Sequence, residues 1–358
     1  MTDLFADKNG YSEEVLAEAF NPRSLELIIL PTEKCNFRCT YCYEDFAIGK
    51  MRKPVQRGIV SLINNRAPSL DSLRLSWFGG EPLLAIDVVK EISSTAMDIC
   101  HDYGVNFGGG MTTNGYLLDH KTLKGLCSLK QNHFQITLDG SRNEHDLSRL
   151  RADGRGTFDK IWENLCAARI SDLDFHILIR IHVSPSNLSS VQSLIKDINE
   201  KFSDDSRFSV HFHRVSDLGG PNSGEIAVLS MADYRAELTK LKSNLNLHSD
   251  SEIELASKGI CYAAKVNSLL VRANGRLGKC TVALSDPRND IGHINEDGSI
   301  SVDNERLRLW LNGFTDLNDD ALGCPLSNLT LRTGVGANLG RLKSSPKVIE
   351  SKLVEAHK

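Results

Sequence analysis

PTEKCNFRCTYCYE, residues 31–44, sets Cys35, Cys39 and Cys42 in a C-x3-C-x2-C run, with Tyr41 just before the last thiol. Three soft thiolates this close in sequence can converge on one face of an iron–sulfur cluster. They fill three corners of a four-iron cube and leave the fourth iron open. An open iron can take a small molecule, as open sites do in catalytic metalloenzymes. Other uses of cysteine fit less well. Three thiols cannot pair fully as disulfides, and four-cysteine zinc sites usually come as two C-x2-C pairs, of which this chain has no second.

The cysteine run follows a strand-like segment, LELIIL (25–30), whose continuous apolar character suits a strand buried on both faces. Further strands are expected at LRLSWF (73–78), up to about Thr113, at FQITL (134–138), FHILIRIHV (175–183) and RFSVHFH (207–213). Helices are expected over 55–65, 85–101, 119–128, 158–170 and 187–201, with Thr157 as a possible cap of the fourth. Six strand–helix alternations imply an α/β fold with a parallel sheet and right-handed crossovers. The motifs follow the strands, at the ends where α/β barrels build their sites. EEVLAEAF has helical spacing, so residues 1–24 read as a helical extension. The stretch Leu218–Gly224, rich in Gly, Pro, Ser and Asn, marks a boundary at 220/221. A helix over 231–245 follows, then an Asn274-Gly275 hairpin signal. Residues 343–358 read as a charged helical tail.

At 358 residues the chain suits a large barrel plus a smaller domain. A net charge of −4 leaves no electrostatic footprint for nucleic acid or an anionic membrane. No apolar stretch approaches a membrane-spanning helix, and MTDLFADKNGYSEE is no secretion signal. Nine cysteines in such a chain point to a reducing cytoplasm and metal ligation.

Several segments share a resemblance. PTEKCNFRCTYCYE, SWFGGEPLL (76–84), TTNGYLL (112–118) and ITLDGSRNEHDLSRLRADGRGTF (136–158) together resemble radical S-adenosylmethionine (SAM) enzymes, on their peptide-modifying branch. The resemblance is dense from about Leu25 to Asn187. It implies a partial (β/α)6 TIM barrel over 25–220, with a [4Fe-4S] cluster on Cys35, Cys39 and Cys42 and SAM at its open iron. It places the backbone of Tyr41 near the adenine, Gly79, Gly80 and Glu81 at the methionine ammonium, and Thr137 at the ribose, with Asp139 just beyond. Arg149 or Arg151 would pair with the SAM carboxylate, and Asn114 would polarise substrate or SAM.

Beyond residue 220, Cys261, Gly275 and Cys280 fit C-x13-G-x4-C, with Cys324-Pro325 further on. This resembles the opening of the SPASM or Twitch domain of peptide maturases. It implies a small C-terminal α+β domain over 221–342 with a second, auxiliary [4Fe-4S] cluster on Cys261, Cys280 and Cys324. A full SPASM domain needs seven cysteines, so two auxiliary clusters are not expected. The function implied is a crosslinking maturase of ribosomally made peptides, fed by flavodoxin or ferredoxin. A sulfatase-maturase-like side-chain oxidase and a non-catalytic iron–sulfur sensor are the rivals. No separate leader-peptide-binding module is expected. Cys100, Cys127 and Cys166 are expected in the core. His211 and His213 share one strand face, with structural roles favoured over lining the cavity. GGGMTTNG (108–115) reads as a strand with close backbone approach.

Overall fold

The computed structural model describes residues 11–251, 259–315 and 317–331. The expected tail over 343–358 lies outside them. In chain order the strands are β1 (Ser24–Ile29), β2 (Phe37–Cys39), β3 (Ser72–Trp77), β4 (Asn106–Thr113), β5 (Gln131–Leu138), β6 (Arg149–Arg151) and β7 (His176–Val183). Then come β8 (Phe208–Arg214), β9 (Ser249–Ser251), β10 (Ser268–Val271), β11 (Arg276–Gly278), β12 (Gly292–Ile294) and β13 (Ile300–Val302). The helices over the same stretch are α1 (Glu13–Phe20), α2 (Lys53–Arg66), α3 (Ile86–Tyr103), α4 (His120–Cys127), α5 (Arg142–Ser148), α6 (Phe158–Arg169), α7 (Leu188–Phe202) and α8 (Met231–Ser243).

β1, β3, β4, β5, β7 and β8 lie side by side in that order, all parallel. β9 adds to β8 in parallel, and β10 adds to β1. Because β1 and β8 are not bonded to each other, the sheet is a partial (β/α)6 barrel with an open side. Strand β7 shows what shapes it. Ile177, Ile179, Ile181 and Val183 are buried, while His176, Arg180 and His182 alternate with them on the other face. β4 passes close to its neighbours through glycines: a Cβ on Gly109 would lie 2.2 Å from the Leu75 carbonyl. Cys100 is buried, and Cys127 and Cys166 pack partly buried against the core.

The Asn274-Gly275 signal is a turn between β10 and β11, which pair antiparallel, with Gly275 at φ +86°. β11, β12 and β13 continue this antiparallel run. Two features had no local signal. β10 hydrogen-bonds β1, so the C-terminal strands extend the barrel sheet itself. β2 and β6, three residues each, form a separate antiparallel ribbon. Strands this short carry too few alternations to be read from periodicity.

Candidate active site

The cysteine loop leaves β1 and is tied at both ends. Met51 N–H donates to the Pro31 carbonyl, and β2 pairs Cys39 with Arg149. Cys35, Cys39 and Cys42 all line a cavity of about 420 Å³ at the C-terminal ends of the barrel strands. Cys35 Sγ accepts the Phe37 N–H at 3.3 Å. Burial pushes the Cys35 and Cys42 thiols up to about 12, and raises Cys39 too. Bare, these thiols hold their protons; a bound metal would displace them. Among the described residues, no three or more ligating side chains converge on a single metal ion. A four-iron cluster asks for something different, one thiolate per iron, and three adjacent soft donors on a cavity wall fit that demand.

Gly79 and Gly80 close the wall beside the loop, with φ of +85° and +45°. Gly80 N–H donates to Glu44 Oε2 at 2.9 Å, and Glu81 N–H donates to the Lys34 carbonyl at 2.9 Å. A Cβ on Gly80 would sit 2.3 Å from that same Lys34 carbonyl. Gly80→Val is therefore expected to displace the cysteine loop and lower both iron retention and the urea midpoint; wild-type iron content in the variant would refute this.

Glu81 is 0% exposed and does not line the cavity. Its carboxylate accepts from Leu83 N–H (2.9 Å), the Thr113 hydroxyl (2.8 Å) and Asn114 N–H (2.7 Å). It joins the ends of β3 and β4. Asn114 does line the cavity, and its amide donates to Asn36 Oδ1 at 2.8 Å.

On the far wall, Tyr41 links the loop to β5 and β6. Its hydroxyl donates to Asp139 Oδ2 (2.7 Å) and accepts from Arg149 Nη1 (2.6 Å). Burial opposes charge on Asp139, yet His182, Arg149 and His145 together hold its carboxyl well below the usual range. Ser148 also donates to Asp139 Oδ2, at 2.8 Å. His182 Nδ1 lies 3.4 Å from Asp139 Oδ1, an ion-pair distance without hydrogen-bond alignment. Thr137 and Arg149 line the cavity; Arg149 is 6% exposed, and its Nε meets no acceptor among the described residues. Arg151 is committed elsewhere, to Asp153 (2.8 Å) and the Tyr116 hydroxyl (2.9 Å). A buried guanidinium edge without an acceptor fits a carboxylate ligand.

Thr157 stands at the N-cap of α6, but its hydroxyl does not cap. It donates to the Arg149 carbonyl at 2.7 Å, and Asp146 Oδ1 takes the N–H groups of Thr157 and Phe158 instead. The Thr157 hydroxyl is thus left to accept from His145 Nε2 at 3.1 Å. His145 Nδ1 accepts the Asp139 N–H at 3.3 Å, so the ring is neutral. Burial, then Arg149, pushes His145 down to about 4. The unfolded chain takes up this proton near the ordinary value of about 6.5. Stability is therefore expected to fall as pH drops from about 6.5 toward about 4, by up to about 1.4 kcal/mol per pH unit. Urea midpoints at several pH values test this. The slope should shrink in His145→Gln, and an unchanged slope would count against the assignment.

Glu44, Gln135 and His182 are among the groups lining this cavity that sequence reading missed. The alternation of FHILIRIHV was the available signal for His182. His213 lines the cavity as well, whereas His211 is buried and does not.

Cys261, Cys280 and Cys324 lie within electrostatic reach of one another. Cys261 N–H donates to the Leu322 carbonyl (2.9 Å), which brings the Cys324 segment to it. Burial pushes Cys280 up to about 11, and charge on Cys261 and Cys324 pushes the same way. Next to Cys280, the buried Lys279 ammonium donates to the Lys265 and Ser268 carbonyls, both at 2.5 Å. Burial lowers it to about 7, while Cys261 and Glu26 pull it up. A buried ammonium within electrostatic reach of Cys261 favours a thiolate there.

An open parallel barrel with three thiols at its mouth defines a class of proteins. Residues 29–198 match the family model described as "Radical SAM superfamily". That match covers just under half of the chain. It is 27% identical over 231 residues to the cysteine-type anaerobic sulfatase-maturating enzyme of Clostridium novyi (strain NT), covering 61% of this chain but only 59% of that protein. It is 28% identical over 287 residues to GTP 3′,8-cyclase of Microcystis aeruginosa (strain NIES-843 / IAM M-2473), covering 74% of this chain and 81% of that one. Among solved structures it resembles anSMEcpe with bound AdoMet (TM-score 0.62, 21% identity, 80% of each chain). It also resembles Streptococcus suis SuiB bound to its precursor peptide SuiA (TM-score 0.54, 17% identity, 79% of this chain and 65% of that one). At these identities the two solved structures speak for the fold.

Proposed function

We propose that this chain is a radical SAM enzyme that removes hydrogen from a peptide side chain, most simply to install a crosslink in a ribosomally made peptide. One observation carries the reading: Cys35, Cys39 and Cys42 share a single cavity with Gly79, Gly80, Asn114, Thr137 and Arg149. A reduced four-iron cluster with SAM bound supplies a 5′-deoxyadenosyl radical, able to take hydrogen from unactivated carbon. The chain's residues do the rest. The three thiols hold the cluster, Arg149 offers a buried donor edge for the SAM carboxylate, and Thr137 offers a hydroxyl on the same wall. The barrel's open side leaves room for a bulky substrate. Solved neighbours with peptides bound, anSMEcpe with Cp18Cys and SuiB with SuiA, support a peptide as the substrate class.

The auxiliary cluster on Cys261, Cys280 and Cys324, in a domain over 221–342, would accept the second electron; flavodoxin or ferredoxin would supply the first. Among the described residues no helix is long and apolar enough to cross a membrane, and a cytoplasmic setting belongs to the proposal. The sulfatase-maturating relative favours a second reading, oxidation of a single side chain. Co-expression with a short peptide encoded next to the gene separates them. A crosslink removes two hydrogens and resists protease cleavage between the joined residues; a single-residue oxidation leaves every peptide bond between them cleavable. Recovery of the peptide unchanged, with active SAM cleavage, would argue against a peptide substrate.

A further inference from the structure

Resting on the SAM reading above, we propose that Glu44, and not Glu81, supplies the negative charge that receives the ammonium group of SAM. Glu81 has no exposure and spends its carboxylate on three protein donors. Glu44 lies on the cavity wall at the Gly79–Gly80 turn. The Gly80 N–H holds its Oε2 at 2.9 Å, which fixes the carboxylate in place. Among the described residues no other donor reaches it.

The neighbouring cations are already engaged. Arg272 forms a fork with Glu33 at 2.6 and 3.1 Å and donates to the Leu284 carbonyl. Lys34 Nζ donates to the Phe46 carbonyl, and Arg38 donates to the Cys35 and Phe37 carbonyls. Arg272 acts on Glu44 only at a distance, its guanidinium being forked with Glu33, so a buried Glu44 carboxylate with no ion pair of its own is costly unless a cation arrives beside it. Arg149, of opposite sign and with its Nε unsatisfied, lines the same cavity. A carboxylate and a guanidinium on one cavity suit a zwitterionic α-amino-carboxylate, with charge-assisted hydrogen bonds at each end.

The test measures binding to anaerobically reconstituted protein by equilibrium dialysis. The ligands are SAM and its desamino analogue, which keeps the sulfonium and the carboxylate. Wild type is expected to prefer SAM by about 10- to 100-fold. Glu44→Gln keeps an acceptor for the Gly80 N–H and loses only the charge. It should hold wild-type iron, yet bind the two ligands within about threefold of each other. Glu44→Asp should restore part of the preference. Equal affinity of wild type for both ligands overturns the proposal, whatever the variants do. So does a full preference retained in Glu44→Gln. Iron-loaded wild type that binds neither ligand would instead sink the SAM reading itself, a distinct result.

Discussion

Changing Cys35, Cys39 and Cys42 together to alanine is expected to abolish the formation of 5′-deoxyadenosine from SAM under reducing, anaerobic conditions. The thiols are the soft donors on the wall of the main cavity, and no other cysteine lines it. Fully reconstituted wild type should carry about eight irons, two cubes per chain, and the triple variant about half. The fold should survive, because the loop is also held by β2 pairing with β6 and by the Glu81 and Tyr41 contacts. Deoxyadenosine at wild-type rates from the triple variant would refute the assignment of this cavity.

The second large effect is expected from Cys261→Ala/Cys280→Ala. Iron should fall to about four per chain, since the remaining cube sits elsewhere. SAM cleavage should continue, because these thiols are not part of the main cavity. Peptide product should disappear, since the substrate would be left with an unpaired electron and no acceptor. The remaining cluster should show a different reduction potential from the one lost, because the ligand sets and hydrogen bonds around them differ. A wild type with about four irons, and none left in the Cys35/Cys39/Cys42 variant, would defeat the auxiliary site and leave the barrel reading intact.

What could be read from the chain was whatever is written in neighbouring residues. The thiol spacing, the glycines at 79 and 80, and the apolar faces of β1 and β7 are local patterns. The parallel direction of the six barrel strands followed from strand–helix alternation, and their arrangement as a partial barrel from the resemblance. Glu81 shows where such reading stops. Its place in a glycine-rich turn was legible, but its direction depends on Thr113 and Asn114, donors on another strand. Glu44 was hidden for the same reason: only the folded loop brings it to the Gly80 amide. Arg149 and Arg151 differ in their partners, Tyr41 for the one and Asp153 for the other, which no spacing could weigh. Thr157 looked like a cap, but Asp146 took that work and left the hydroxyl to His145.

The pairing of β10 with β1 bears on how the molecule is made. β1 leaves the ribosome early, yet its outer edge is covered only by Ser268–Val271, some two-thirds of the chain later. The same late segment carries Arg272, whose fork closes on Glu33 beside the cysteine loop. Contacts this distant in sequence form slowly, and an uncovered strand edge invites pairing with other chains. A nascent chain halted before residue 268 should therefore be prone to aggregation and poor at retaining iron. Loading of the first cluster would then be a late event in biogenesis, waiting on synthesis of the segment that carries β10 and Arg272.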